Sequence, residues 1–130
     1  MLNVVLDTNV LVSALISPEG APAKILALVL NGRINPCYDS RILSEYETVL
    51  RRPKFPFSSQ EVAGLLQVIV QNGLSLVAAP RSEVFIDEAD KKFYEVAKSG
   101  RATLITGNRR HFPDNDTVIS PADFLELINQ

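Results

Sequence analysis

The stretch Asn3-Val4-Val5-Leu6-Asp7-Thr8-Asn9-Val10-Leu11 decides the fold. Val4 to Leu6 is a short, β-prone apolar run and Asn9 to Ile16 reads as a mostly apolar helix, so Asp7 stands at a strand-to-helix junction. In an open α/β sheet, ligands bind outside the carboxyl ends of the strands, which makes Asp7 the first candidate for chemistry. The plain alternative is that Asp7 or Thr8 only caps the helix that follows, a role both residue types fill well.

The same alternation continues along the chain. Apolar strand candidates are Leu2 to Leu6, Ile34 to Tyr38, Leu74 to Ala78, Thr103 to Thr106 and Thr117 to Ile119. Helical patterns cover Asn9 to Ile16, Ala21 to Leu30, Arg41 to Arg51, Ser59 to Gln71, Glu88 to Lys98 and Pro121 to Ile128. Ser40, Ser59 and Ser120 read as N-caps, and Asn31-Gly32, Asn72-Gly73 and Ser99-Gly100 as C-terminal stops. The order β-α-α-β-α-α-β-α-β-β-α predicts an α/β fold, with a mainly parallel sheet covered on both faces. The clearest break is the proline-punctuated loop Arg52-Pro53-Lys54-Phe55-Pro56-Phe57.

At 130 residues and 46% hydrophobic content, the expectation is one globular domain over residues 1–130 with a substantial core. A net charge of -2 provides no overall basic field, so a polyanion would have to be held by local basic patches or through metal ions. The single cysteine, Cys37, leaves no internal disulfide and no cysteine-based zinc site, which fits a reducing compartment. No signal-peptide pattern or bilayer-length apolar stretch is visible, so the expected location is cytoplasmic, without membrane contact.

Further polar positions fall at the level of Asp7. In the helix from Arg41 to Arg51, Ile42, Leu43, Tyr46, Val49 and Leu50 form the apolar stripe, with Glu45 and Glu47 on its opposite flanks; periodicity does not choose between them. Asp90 precedes the core positions Phe93 and Ala97 by three and seven residues, close to the apolar face in the first turn of its helix. There it either complements the helix dipole or needs a cationic partner such as a metal. Thr106 and Asn108 lie at the end of the strand Thr103 to Thr106, where an asparagine is also an ordinary turn residue. Beside that turn, Arg109, Arg110 and His111 are potential phosphate contacts. Carboxylates gathered from distant segments suit a hard cation such as Mg²⁺ or Mn²⁺, which can polarise a phosphoryl oxygen and acidify water for in-line attack on a phosphodiester.

With these residues in view, the chain resembles the PIN-domain family, and within it the bacterial and archaeal group described as toxin components of toxin-antitoxin systems. The matching blocks are Leu6-Asp7-Thr8-Asn9-Val10; Ser44-Glu45-Tyr46 leading to Leu50-Arg51-Arg52-Pro53-Lys54-Phe55; Asp87-Glu88-Ala89-Asp90 with Phe93 and Ala97; Leu104-Ile105-Thr106-Gly107-Asn108; and His111-Phe112-Pro113. They span most of the chain in the family's order.

The resemblance implies a three-layer α/β/α fold and a Mg²⁺- or Mn²⁺-dependent ribonuclease, with Asp7, Glu45 and Asp90 as acidic metal ligands, and it selects Glu45 over Glu47. Asn108 stands where the family often has a fourth acid; its carbonyl can coordinate but adds no charge, and Asp87 offers some of what is missing. Thr8, Asn9 and Thr106 look like groups that position ligands or water. The expected partners are RNA, an antitoxin protein and a second copy of the chain in a homodimer.

The leading expectation is therefore a metal-dependent endoribonuclease, with Arg51, Arg52, Lys54, Arg109 and Arg110 as candidates for gripping the RNA backbone. Two rivals stand beside it. A phosphatase would use Asp7 as nucleophile, but the usual second aspartate two residues later is Asn9 here. A binding module with little catalysis is motivated by Asn108 at the fourth acidic position.

Overall fold

The computed structural model describes residues 2–113 and 116–129; Met1, Asp114, Asn115 and Gln130 lie outside the described residues. Strand β1 (Leu2–Leu6) runs into helices α1 (Thr8–Ile16) and α2 (Ala21–Leu30). Strand β2 (Ile34–Tyr38) leads to α3 (Ser40–Leu50) and α4 (Ser59–Asn72). Strand β3 (Leu74–Ser75) is followed by an irregular segment over 76–87, then by a 3₁₀ turn (Glu88–Asp90) opening α5 (Lys91–Ser99). Strand β4 (Thr103–Ile105), a second 3₁₀ turn (Arg109–His111), strand β5 (Val118–Ile119) and helix α6 (Pro121–Ile128) follow.

The five strands form one sheet in the order β3-β2-β1-β4-β5, and every neighbouring pair is parallel. Parallel strands need crossover helices, which cover the faces and give the three-layer α/β/α arrangement expected from the alternation. At the centre of the sheet, Val4, Val5 and Leu6 are at most 1% exposed. Helix α5 packs across β1, β2 and β4, while α2 packs on β2 and against α1, α4 and α6. From β1 the chain builds outward through β2 and β3, then returns to add β4 and β5 on the other side. The strand order thus reverses between β1 and β4, where such sheets open a ligand crevice. The Asp7 N–H donates to Ile105 O at 3.0 Å, which carries the ladder one residue past β1 and sets the acid at that crevice.

Helix α3 is fastened to the same place from inside the core. Tyr46, 2% exposed, donates its hydroxyl to Leu6 O at 2.5 Å. Burial, then the nearby Asp7 and Glu45 carboxylates, hold its phenol well above the ordinary tyrosine range, so it remains a donor. Cys37 is a core residue of β2, as expected, and burial pushes its thiol up to about 11.

Several end signals fall one residue away from their expected places. The N-caps of α3 and α4 are Asp39 and Ser58, because Ser40 and Ser59 already belong to the helices. Asp39 accepts from the Ile42 N–H, and Ser58 and Glu61 form a reciprocal capping box. Ser120 caps α6 as expected. Gly32 has φ +70 and makes a left-handed stop, but after α5 that conformation is taken by Arg101 (φ 50), not Gly100. Gly73 is extended and is required for space instead: a Cβ there would stand 2.2 Å from Pro36 O and 2.5 Å from Ile69 O.

Strand β3 is shorter than the expected Leu74 to Ala78. Leu76 still donates to Tyr38 O, but the Ala79 N–H turns to Ser99 Oγ and the Arg81 N–H to Glu95 Oε2, so side-chain partners draw this edge off the ladder. Among the described residues no single helix is long and apolar enough to cross a membrane; α1 and α2 would suffice only as a pair, and they meet at 101°.

Two glycines flanking this architecture should respond in opposite ways. Gly64 lies in α4 with nothing within 4 Å of an added Cβ, so Gly64→Ala is expected to stabilise by about 0.5–1 kcal/mol. Gly73→Ala is expected to destabilise by about 2 kcal/mol or more, since backbone must move. Urea midpoints of the two variants check this, and equal midpoints would remove the close approach at Gly73 from the account.

Candidate functional site

Three acids arrive at one cleft from separate elements: Asp7 at the end of β1, Glu45 from α3, and Asp90 from the 3₁₀ turn that opens α5. The cleft holds about 590 Å³, and Thr8, Asn9, Arg41, Arg52, Asp87 and Lys92 also line it. Periodicity placed Glu45 and Glu47 on opposite flanks, and the tertiary structure separates them. The Glu45 side chain is 27% exposed in the cleft, whereas Glu47 is 58% exposed and lines a different groove between α3 and α4.

Asp7 is 5% exposed and occupies the N-cap position of α1, yet it makes no capping hydrogen bond. Its Oδ2 accepts from the Thr106 hydroxyl at 2.7 Å. Thr106 Oγ1 in turn accepts from the Asn108 N–H at 3.0 Å, which leaves the hydroxyl proton directed at Asp7. Burial raises the Asp7 pKa, and the Glu45 charge raises it further. The Thr106 hydrogen bond and the N–H groups of Thr8 and Asn9 oppose that shift, the latter favouring the charged form without the alignment of a cap.

Glu45 accepts from the Thr8 hydroxyl through Oε2 and pairs with Lys92 Nζ through Oε1 at 2.6 Å. Lys92 also donates to Ala89 O and lies over the Phe93 ring, with its side chain only 13% exposed. This cleft cation was not legible in the sequence, where Lys91 and Lys92 are an adjacent pair at a helix start and no periodic signal favours one. Asp90 is the least satisfied of the acids. Burial raises its pKa first, followed by the charges of Asp7 and Asp87. His111 Nδ1 stands 3.3 Å from Asp90 Oδ2, within ion-pair range, but without hydrogen-bond alignment the buried oxygen has no hydrogen-bond partner.

The other expected residues divide. Asp87 lines the cleft and accepts the Ala89 N–H, shaping the turn that carries Asp90. Asn108 serves the site through its backbone N–H; its exposed side chain lines a smaller neighbouring pocket with Asn9 and Gly107. Of the basic candidates, Arg52 lines the cleft. Arg51 faces the α3–α4 groove, bonded to Ser59 and 3.5 Å from Glu47. Lys54 lies over Phe55, Arg109 is 3.8 Å from Asp123, and Arg110 is exposed.

The donor chemistry fits a hard divalent cation. The acids supply oxygen ligands, the Glu45 charge disfavours that of Asp7 as the Asp7 charge disfavours that of Asp90, and Asp90 Oδ2 is buried with no hydrogen bond. Among the described residues no three His, Cys, Asp or Glu side chains converge tightly enough to enclose an ion by themselves. That suits an ion held by one or two carboxylates and otherwise by water and substrate, the usual habit of Mg²⁺.

Comparison with known proteins bears on the family and the fold. Residues 3–110 match the PIN-domain family. The chain is 33% identical over 111 residues to the uncharacterized protein MJ1680 of Methanocaldococcus jannaschii, covering 83% of this chain and 72% of that one. It also shares its fold with a chain in the crystal structure of VapBC2 from Rickettsia felis bound to a DNA fragment from their promoter. There the TM-score is 0.58 at 15% identity, over 92% of this chain and 97% of the other.

The raised pKa of Asp7 has a definite sign in stability. A carboxyl whose folded pKa lies above its ordinary 3.8 favours the folded state most when protonated, and that contribution is lost as pH rises from 3.8 through the folded value. Asp7→Asn never acquires the charge. In metal-free buffer it is expected to be at least as stable as wild type near neutral pH, with wild type gaining on it as pH falls from about 8 to about 4. Urea unfolding across that range checks this; a wild-type advantage that grows with pH would mark Asp7 as a stabilising structural carboxylate.

Proposed function

The chain belongs to the PIN-domain family, and on that premise we propose that it is a Mg²⁺- or Mn²⁺-dependent endoribonuclease whose active site is the cleft of Asp7, Glu45 and Asp90. The observation that carries the reading is the meeting of these acids, remote in sequence, at the sheet's switch point, where burial and neighbouring carboxylates raise the pKa values of Asp7 and Asp90. Of Asp7, Glu45 and Asp90, one or two would hold the ion directly and the rest through water. Bound there, it would neutralise the acids, polarise a phosphoryl oxygen and lower the pKa of water.

The rest falls to the chain's own side chains. Thr106 fixes the rotamer of Asp7 by donating to Oδ2, and Thr8 does the same for Glu45. Lys92 offsets part of the negative charge, so the cleft tolerates three acids and still admits a phosphate. Arg52 on the wall offers a planar fork to the phosphodiester backbone. As further parts of this reading, the protein is a cytoplasmic toxin component that forms a homodimer and is neutralised by an antitoxin. A second reading, an RNA- or partner-binding module with weak catalysis, is favoured by one observation: Asn108 lines a neighbouring pocket and not the acidic cleft.

Purified protein is expected to cleave a mixed RNA panel in Mg²⁺ or Mn²⁺ and to be silent in EDTA. Asp90→Asn and Asp7→Asn should lower the rate at least about a hundredfold, with melting temperatures near wild type. Well-folded protein that binds RNA but turns nothing over in saturating Mn²⁺ would establish the binding module.

A further inference from the structure

The loop after α3 carries a feature that the acidic cleft does not use. In Arg52-Pro53-Lys54-Phe55, the Phe55 N–H closes a turn onto Arg52 O at 3.0 Å, with proline presetting the second position. The Phe55 and Phe57 rings stack at 5.2 Å with their planes 13° apart, and Pro56 joins them. Phe57 packs on the edge of the core, whereas Phe55 lies outside the core cluster and is half-buried. The ammonium of the exposed Lys54 stands 5.1 Å from the Phe55 ring centroid. Arg52, hydrogen-bonded to this turn, lines the cleft itself.

We infer that Phe55 is a stacking platform for an unpaired base of single-stranded RNA entering the cleft, with Arg52 and Lys54 taking the adjoining phosphates. The inference rests on the ribonuclease reading for the identity of the polymer, but not on catalysis. Phe57 backs one face of the ring, and the prolines hold the pair in place, so little conformational entropy is lost when a base lands. Lys54 covers the ring in the free protein through a cation–π contact, which a base displaces, freeing the ammonium for phosphate. A duplex keeps its bases stacked on one another and has none to offer, so the platform selects single strands or loops.

The chain has no tryptophan, so Phe55→Trp installs a unique fluorophore at the platform. In the Asp7→Asn background with Mg²⁺, a short mixed-sequence RNA single strand is expected to quench that emission, and its perfect duplex and inorganic polyphosphate are not. In the same background, Phe55→Leu should bind the single strand about tenfold more weakly and Phe55→Tyr within about twofold of the parent, all with similar melting temperatures. Equal quenching by polyphosphate, or unchanged binding by Phe55→Leu, would overturn the platform. The two readings fail separately. Quenching by single strands in a protein whose wild type cleaves nothing keeps the platform and removes the ribonuclease; metal-dependent cleavage without quenching does the reverse.

Discussion

A nearly inaccessible carboxylate at the end of the central strand is the constraint around which this molecule is arranged. Asp7 follows three residues that are almost wholly buried, is itself 5% exposed, and feels the Glu45 charge across the cleft. An acid in that position is costly unless its neighbours compensate. The compensation comes from far along the chain: the Thr106 hydroxyl arrives at the end of β4, 99 residues away, and is aimed by the Asn108 N–H. The parallel pairing of β1 with β4 therefore does two things at once. It closes the sheet at its centre, and it brings the Thr106 hydroxyl that orients the acid.

Around that centre, polar contacts brace the cleft from outside. Arg41 reaches both Asp39 and Glu95, at 2.7 and 2.8 Å, and the Glu95 carboxylate also accepts the Arg81 N–H. These bonds tie α3, α5 and the irregular segment over 76–87 together. Burial favours the neutral form of Glu95, but the Arg41 and Arg81 contacts prevail and hold its pKa below the ordinary range. Arg41 itself is about half exposed, so the ion pairs contribute more to geometry than to stability. Removing one partner would leave a buried carboxylate without its cation, which gives the arrangement its directionality.

Much of this was readable in order of elements and in chemistry. The alternation of apolar runs with 3.6-period stripes predicted the element sequence and a parallel sheet, and the junction at Asp7 lies where the acidic cleft opens. End signals were less legible. Pairs such as Asp39-Ser40 and Ser58-Ser59 offer two capping residues side by side, and only the backbone conformation selects the first. Asn72-Gly73 has the composition of a left-handed stop, yet its glycine answers to the close approach of Pro36 O, a long-range contact that no local pattern carries. Strand β3 ended early because Ser99 and Glu95, from another element, compete for its N–H groups.

The sequence by itself determined the fold class and the strand-end position of Asp7, because these follow from local periodicity and residue type; the set of acids was only implied, by resemblance to a family. Only the tertiary structure decided how those residues meet. It put Glu45 in the cleft and Glu47 outside it, inserted Lys92 beside Glu45, and set Asn108 in a neighbouring pocket. It also set a stacked aromatic pair beside Arg52. Each of those outcomes depends on how helices sit on a twisted sheet, a matter of packing between residues tens of positions apart, which spacing along one segment does not encode.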